Sequence, residues 1–316
     1  MTAVAAAPRR FRGPGSWTPE EKRSFGWAML FLSPWIVGFL VFTAAPMAWS
    51  LWLSFTSYSP LTDKAPWVGL ANYQRMLSDP KVLVSLGNTT YFTALFVPLS
   101  TVLALLLASL LNRVGGRAAG FFRTVFYLPN ITPAVAVGTL FILILANPDG
   151  LVNQLLRFFG ITGPSWLNDP AWLKNGIVLM MLWSIGGTVV ILFAALRNVP
   201  AELHEAAQID GANALQRFRN VTLPLISGAL FFVIIINTIS SLQLFSEVYT
   251  IFGGQRQGLV GSDAALFYVM YLFREAFETF RMGYASALAW LLFVIVGIIT
   301  AIQFRLSKRF VYYENN

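Results

Sequence analysis

The sequence contains no cysteine and only one histidine, His204. Disulfides, thiolate zinc sites and a cysteine nucleophile are therefore excluded, and so is most imidazole chemistry. Charged residues are also few, at 11% compared with roughly 25% in a typical soluble domain. Hydrophobic residues make up 56% of the chain, and the mean hydropathy is +0.64. Water is therefore not the solvent for most of this chain.

Apolar runs long enough to cross a bilayer recur along the chain. A backbone in lipid must satisfy its own hydrogen bonds, and the sequence lacks the short alternating strands of a membrane barrel, so these runs predict helices. The predicted fold is an all-α membrane protein. Its transmembrane domain, residues 27–309, follows a tail with a short leading helix (1–26) and precedes a C-terminal tail (310–316). The six predicted spans are residues 27–54, 88–112, 122–146, 176–196, 224–250 and 283–305.

The distribution of Lys and Arg predicts the orientation of the spans. With the N-terminus inside, the cytoplasmic segments hold 14 of these residues and the outer segments hold 8. Because cytoplasmic loops carry the excess of positive charge, both termini are predicted to be cytoplasmic. The first apolar run, of about 28 residues, is too long for a signal peptide and predicts a retained span. The basic residues form no continuous stripe, so nucleic acid is not an expected partner.

The cytoplasmic loop between predicted spans four and five has the pattern of two short helices. Pro200 suits the first turn of a helix, and Asn198 can cap it. Gly211 then permits a left-handed stop, and either Asp210 or Asn213 can cap the start of a second helix. The sequence therefore predicts a helix, a tight turn and another helix.

This loop, residues 197–223, has features of a docking element. Ala206 and Ala207 lack bulk, so another backbone can approach this face closely. Glu205 and Asp210 offer charges to a cytoplasmic partner. A helix this small cannot bury much area within its own chain, so we expect it to dock on another protein.

The spacing of seven residues in and after this loop carries a resemblance: Glu205, Ala206, Ala207, Asp210, Gly211, Ala212 and Pro224. It resembles the EAA loop of ABC importer permeases, in which a short helix seats in a cleft of the ATP-binding subunit. Further motifs resemble those of the carbohydrate-uptake, maltose-type permeases; they lie at residues 69–73, 126–129, 150–153, 166–170 and 282–287. The outer turn at residues 250–258 departs from the Thr-Gly-Gly-Gly-Pro-like turn usual in these permeases.

The resemblance implies a MetI-like bundle of six transmembrane helices in the cytoplasmic (inner) membrane of a bacterium or archaeon. It implies a second homologous permease, two ATP-binding-cassette subunits and an extracytoplasmic sugar-binding protein as partners, besides membrane lipid. The implied substrate is a mono- or oligosaccharide. The sequence has no Gly-x-x-x-x-Gly-Lys-Ser/Thr loop, so ATP and Mg are expected on the partner subunits. No cofactor, catalytic residue or metal ligand is predicted in this chain.

Polar residues at membrane depth cost energy unless they face a cavity or a partner, so they indicate candidate pathway positions. In span five, four residues have the spacing of one helical face: Asn237, Ser240, Ser241 and Leu244. The amide of Asn237 suits recognition of a sugar hydroxyl. The alternative is helix packing through small and polar residues.

Span four offers a second candidate face, with Trp183, Ser184 and Gly187. An indole can stack on a sugar ring, and a glycine leaves room for the ring. Both faces correspond to positions at which the resembling permeases hold their sugar, as does Met180. Glu247 is the one acid within a predicted span and lies near its outer end. It lines the outer mouth of the pathway, pairs with an arginine of the partner permease, or reaches water at the interface.

Other function classes fit less well. A membrane-embedded enzyme would need His, Asp, Glu or Ser clustered at one depth, and the predicted spans contain one acid and no histidine. For the lone histidine, a partner contact or simple exposure is expected. An ion-coupled transporter or channel would carry intramembrane charges. Glycerol phosphate or another polyol derivative is the alternative substrate, but a phosphate would favour basic residues at mid-span, where none occurs.

Overall fold

The computed structural model describes residues 18–114, 116–253 and 263–311. The predicted tail up to residue 17, the part of the atypical outer turn from residue 254 and the C-terminal residues 312–316 lie outside these ranges. The contacts within the chain divide it into two units, Met1–Leu53 and Ser54–Asn316.

Among the described residues, helices make up the regular structure of both units. In chain order they are α1 Pro19–Phe39, α2 Ala45–Ser54, α3 Ala71–Ser78, α4 Pro80–Val114, α5 Gly116–Tyr127, α6 Ala134–Ile144, α7 Leu151–Phe158, α8 Leu173–Trp183, α9 Gly186–Arg197, α10 Ala201–Ile209, α11 Ala214–Arg217, α12 Leu223–Leu225, α13 Ser227–Leu242, α14 Ser246–Phe252, α15 Tyr268–Phe273 and α16 Met282–Phe310. Within the described ranges, β-structure is limited to two isolated bridges. The prediction of an all-α protein is confirmed.

The number of spans depends on how bent helices are counted. Within the described residues, four helices are long and apolar enough to cross a membrane. Two further pairs of helices pass the same test together but are bent at a short break. If each pair is one span, the count is six, as predicted.

Helix α1 begins at a capping box. The Thr18 hydroxyl accepts a hydrogen bond from the Glu21 backbone at 3.3 Å, and the Glu21 carboxylate accepts one from the Thr18 backbone at 2.7 Å. The helix then continues through the π-turn Leu40–Ala44 into α2, over 36 residues in all. Pro46 lacks an N–H and crowds the carbonyl four residues before it, which accounts for the wider turn. The leading helix and the first span, predicted as separate segments, form one helix.

In the second unit, α4 lies at the centre of the bundle. It packs against α8, α9, α13 and α15, and α13 also packs on α16. Ala104 and Ala108 are one turn apart on α4, and both are fully buried. Small residues at this spacing let neighbouring helices approach closely in a membrane.

The span predicted over residues 122–146 is a broken helix. It consists of α5, the 3-10 turn Leu128–Ile131 and α6, with a bend of 98° between its halves. Pro129 and Pro133 account for the break, because neither has a backbone N–H to donate. Thr132 is extended (φ −75°, ψ 131°), as expected for the residue before a proline.

The span predicted over residues 176–196 is also broken, with α8 and α9 bent by 51°. The start of α9 packs tightly on the end of α5. A β-carbon on Gly186 would lie 2.0 Å from the carbonyl oxygen of Phe126, and one on Gly187 would lie 3.3 Å from the amide oxygen of Asn130. The two breaks therefore contact each other, and the contact requires a glycine at position 186.

A carboxylate joins four helices near the N-terminal end of α4. Asp79 accepts hydrogen bonds from the hydroxyls of Tyr271 and Tyr284, the second at 2.8 Å. The guanidinium of Arg75 lies 4.4 Å from the ring centre of Tyr284. Burial raises the pKa of the Asp79 carboxyl, but the two hydroxyls, the backbone N–H of Lys81 and the charge of Arg75 outweigh burial and hold that pKa below its ordinary value. The charge thus ties α3 and α4 to α15 and α16.

Candidate functional site

The loop between α9 and α12 folds into two helices, as predicted. The first, α10, starts after Pro200 without a side-chain cap. The predicted cap at Asn198 is therefore wrong; this residue lies at the C-terminal cap of α9. The second helix, α11, starts at a capping box between Asn213 and Gln216. Asn213, and not Asp210, is thus the cap of the second helix.

The turn between the two helices depends on Gly211, whose φ is +80°, in the left-handed region that the sequence predicted. The N–H of Ala212 donates to the carbonyl of Ala207 at 2.9 Å, and the N–H of Gly211 donates to the carbonyl of Gln208 at 3.1 Å. These bonds end α10 as a Schellman motif does. Arg217 Nη1 donates to Gln208 Oε1 at 2.8 Å and joins α11 to α10.

The predicted coupling residues lie at the surface of this chain: Glu205, Ala206, Asp210 and Gly211 are exposed, and Ala207, Ala212 and Pro224 are half-buried. The ion pairs within the described ranges involve neither Glu205 nor Asp210. Helix α10 contains no buried residue. The loop therefore presents two acids and a small side chain to its surroundings.

Asn237 lies where α13 meets α4 and α9. Its Nδ2 donates to Ser100 Oγ at 3.4 Å, and its Oδ1 accepts from Thr188 Oγ1 at 3.5 Å. Both distances are at the long limit for hydrogen bonds. The side chain is half-buried, so its amide retains capacity to bond a further polar group.

Of the other residues predicted for this face of span five, Ser240 and Ser241 lie with Asn237 on α13, and Leu244 does not. Helix α13 ends at Leu242, so Leu244 lies beyond the helix, in the core and 5% exposed. Ser241 is buried, and its hydroxyl donates to the Thr238 carbonyl at 2.9 Å. Ser240 is exposed. The spacing of one continuous helical face fails here because the helix stops before its last predicted member.

In span four, Trp183 is 41% exposed and its ring packs against Phe141, with 5.7 Å between centroids. Ser184 and Gly187 are half-buried; Ser184 lies in the break after α8, and Gly187 lies in the first turn of α9. The three residues therefore do not form one regular helical face. Met180 is fully buried in the core and presents no surface within this chain.

A cavity of about 330 Å³ opens beside Trp183, between α4, α5, α8 and α9. Its other walls are mostly apolar and include Phe126 and Pro129 from the broken third span. Asn237 does not line this cavity, so this chain alone does not bring the two predicted faces into one pocket. Helix α9 connects them, because Thr188, which bonds Asn237, directly follows Gly187.

Glu247 lies in the first turn of α14 and is half-buried. Helix α14 packs closely on α6, where a β-carbon on Gly138 would lie 2.9 Å from Thr250 Cβ. The ion pairs that the described ranges contain do not include Glu247. It remains a candidate for the outer mouth.

Sequence reasoning missed three polar residues near the candidate pathway. Ser100 and Thr188 contact Asn237, and Asn130 is an exposed amide beside Gly187. Ser100 and Thr188 could have been found as polar residues in the middle of apolar runs. For Asn130 the signal was the Pro-Asn pair in the third span.

The comparisons with known proteins agree with one another. A family profile described as "Binding-protein-dependent transport system inner membrane component" matches residues 100–312. The probable ABC transporter permease protein YesP of Bacillus subtilis (strain 168) is 42% identical over 289 residues, covering 90% of this chain and 91% of YesP.

Two further relatives have names that state a substrate. The arabinooligosaccharides transport system permease protein AraP of Halalkalibacterium halodurans is 34% identical over 286 residues, covering 89% of this chain and 87% of AraP. The lactose transport system permease protein LacF of Rhizobium radiobacter is 33% identical over 288 residues, covering 90% of this chain and 94% of LacF.

A similar fold occurs in the crystal structure of a bacterial ABC transporter involved in the import of the acidic polysaccharide alginate. The matching chain has a TM-score of 0.78 and 23% sequence identity, covering 93% of this chain and 98% of that chain. Likeness at this identity establishes the fold and confirms the predicted MetI-like helical bundle.

Proposed function

Because the chain belongs to the family of inner membrane components of binding-protein-dependent transport systems, we propose that it is the permease subunit of an ATP-driven importer that carries a sugar into the cytoplasm. AraP and LacF are named for arabinooligosaccharides and for lactose, so among the predicted mono- and oligosaccharides these relatives favour an oligosaccharide. The working complex adds a second homologous permease, two ATPase subunits that bind ATP and Mg, and a sugar-binding protein outside the membrane. The chain lies in the cytoplasmic membrane of a bacterium or archaeon with both termini inside.

The observation that carries the proposal is the exposed helix α10 with its left-handed turn at Gly211. A helix of nine residues with no buried side chain gains little stability from its own chain and is completed by docking on another protein. Ala206 lets the partner's backbone approach closely, while Glu205 and Asp210 supply charges at the edges of the contact. We assign this helix the role of docking in a cleft of the ATPase subunit.

The docking helix is connected to both helices that hold the candidate pathway. Helix α9 leads into α10 and carries Thr188. The π-turn Phe218–Thr222 and α12 lead into α13, which carries Asn237. A displacement of α10 on ATP binding is therefore passed to both sides of the Thr188–Asn237 contact. Movement of these helices then switches the pathway between outward and inward access.

The pathway is lined by neutral groups suited to a sugar. The amide of Asn237 can donate to and accept from hydroxyl groups, and the exposed indole of Trp183 offers a stacking surface. Helix α13 contains no charged residue along its length. This composition favours a neutral sugar over a polyol phosphate, which would favour arginine or lysine near its path.

The docking assignment can be tested with a single thiol, since the chain has no native cysteine. In the purified permease, Ala206→Cys should react readily with a soluble maleimide. Assembly with the ATPase subunits should slow this reaction strongly. Leu155→Cys, at an exposed position of α7, is the control and should react equally in both samples. Equal labelling of Ala206→Cys with and without the ATPase would contradict the assignment.

The pathway assignment predicts a transport defect in Asn237→Leu. Leaving a sugar hydroxyl without its partner costs about 1–3 kcal/mol, or roughly fivefold to a hundredfold in uptake rate at limiting sugar. Copurification with the partner subunits should be unchanged. Thr139→Val is the control, because within the described residues that hydroxyl bonds its own helix, at the Val135 carbonyl. Normal uptake by Asn237→Leu would place the sugar elsewhere.

A further inference from the structure

A second cavity lies where the docking loop meets the bundle. It measures about 290 Å³ and is distinct from the cavity beside Trp183. Its polar lining comes from the end of α4, from α10 and α11, and from the π-turn: Ser109, Asn112, Arg113, His204, Arg217 and Thr222. The cavity is near the lower limit of size for small-molecule sites.

The lining carries positive charge without compensation. It contains two arginines and no acidic residue. Arg217 bonds a neutral amide, that of Gln208. The three ion pairs of the described ranges lie elsewhere and involve neither Arg113 nor Arg217. Two arginines that line one cavity can both bond an anion that enters it.

A buried hydroxyl points to the same conclusion. Ser109 Oγ is shielded from solvent and has no hydrogen-bond partner within the described part of the chain. A buried polar group without a partner is unfavourable, and an oxygen atom of a ligand in the cavity would satisfy this one. The cavity also offers the side chains of Asn112, His204 and Thr222. Guanidinium, amide, imidazole and hydroxyl donors together form a set that suits phosphate oxygens.

We propose that this cavity binds a phosphate group. Its source is either a soluble phosphate compound of the cytoplasm or the headgroup of an anionic phospholipid, because the chemistry of the contact is the same for both. The ligand would bridge Arg113 at the end of α4 to Arg217 on α11. It would therefore fix the docking loop against the central helix and regulate how movement of α10 reaches the bundle. The site is separate from the proposed sugar path and does not depend on it.

Binding is measured on the full-length chain in nanodiscs, with no transport assay involved. In phosphatidylcholine nanodiscs, inorganic phosphate is titrated and the rise in melting temperature is followed, since a ligand that binds the native state stabilises it. In mixed phosphatidylcholine and phosphatidylglycerol nanodiscs, native mass spectrometry counts the phosphatidylglycerol that stays bound. The test variant is Arg113→Gln. The control is Arg219→Gln, an exposed arginine of the same loop outside the cavity lining.

Saturable phosphate binding identifies the soluble source, and retention of phosphatidylglycerol alone identifies the lipid. In either case Arg113→Gln should weaken binding about tenfold, the effect of losing one charge-assisted hydrogen bond. Arg219→Gln should bind as the unmodified chain does. Absence of binding in both arms would overturn the proposal. So would equal weakening by both variants, or unchanged binding in Arg113→Gln.

Discussion

Replacing Gly211 by valine tests whether the geometry of the docking loop sets the coupling between ATP hydrolysis and transport. At a φ of +80°, a β-branched side chain is strained whatever space surrounds it. A β-carbon at this position would meet no atom within 4 Å, so the effect is backbone strain and not a clash. The strain costs about 1–3 kcal/mol. It therefore shifts the equilibrium from this left-handed turn towards other backbone conformations by roughly fivefold to a hundredfold.

The strained turn would relax by giving up the hydrogen bonds that end α10. The bond from Ala212 to Ala207 is the one most directly affected, since it spans the substituted residue. Helix α10 would then tilt and displace Glu205 and Ala206 from the ATPase. The candidate pathway lies elsewhere, so sugar recognition should survive.

The assay is ATP hydrolysis by the complete importer in proteoliposomes, with and without the sugar-loaded binding protein. Gly211→Val should assemble but lose most of the stimulation. Gly160→Val is a matched control: Gly160 has a φ of +74°, open space around its β-carbon position and the same pattern of helix-ending bonds after α7. Full stimulation in Gly211→Val, or an equal loss in Gly160→Val, would refute the reasoning.

Three other predictions concern the fold and its orientation. Gly186→Val should destabilise the bundle by at least about 1–3 kcal/mol and lower its melting temperature in detergent, because its β-carbon would overlap the Phe126 carbonyl. Asp79→Asn should lower stability at neutral pH by about 1–3 kcal/mol through the loss of charge-assisted hydrogen bonds. Since the folded pKa lies below the ordinary 3.8, the stability supplied by the carboxylate is present above that pH and is lost as pH falls through the folded pKa, so the two melting curves should converge in strong acid. In intact cells, an impermeant maleimide should label Ser78→Cys and not Gln208→Cys; the reverse pattern would invert the proposed topology.

The docking loop could be predicted in detail because its signals are local. A glycine is the residue that reaches a left-handed turn without strain, and Asn213 can cap a helix whatever its tertiary neighbours are. The all-α fold could also be predicted from the sequence, because a backbone in lipid must satisfy its own hydrogen bonds and few structures other than helices do so. Asn198 was misassigned because two helix ends meet within three residues, and Pro200 opens α10 without a side-chain cap.

The angles of the breaks in the third and fourth spans could not be predicted from the sequence. Prolines at 129 and 133 indicate a kink, but Pro98 lies within an unbroken α4. What differs is the packing: the break after α5 meets the start of α9 at Gly186, and such a contact is decided by residues far apart in sequence. A bend of 98° is therefore a property of the bundle and not of one segment.

The burial of the candidate pathway residues also could not be predicted from the sequence. Helical spacing places residues on a common face only while the helix continues, and α13 stops before Leu244. Spacing also does not say which face meets another helix. Met180 and Ser241 carry the expected identities yet are buried, whereas Trp183 and Asn237 keep accessible surface. The last two are the positions at which substitution is most informative.

Sugar uptake into proteoliposomes tests the central claim most directly. The vesicles contain the permease pair and the ATPase subunits, with ATP enclosed on the side of the docking loop and the sugar-loaded binding protein outside. If the protein is the permease of an ATP-driven importer, sugar accumulation should require both ATP and the binding protein and be unaffected by ionophores that collapse ion gradients. Accumulation without ATP that is driven by an ion gradient would contradict this claim.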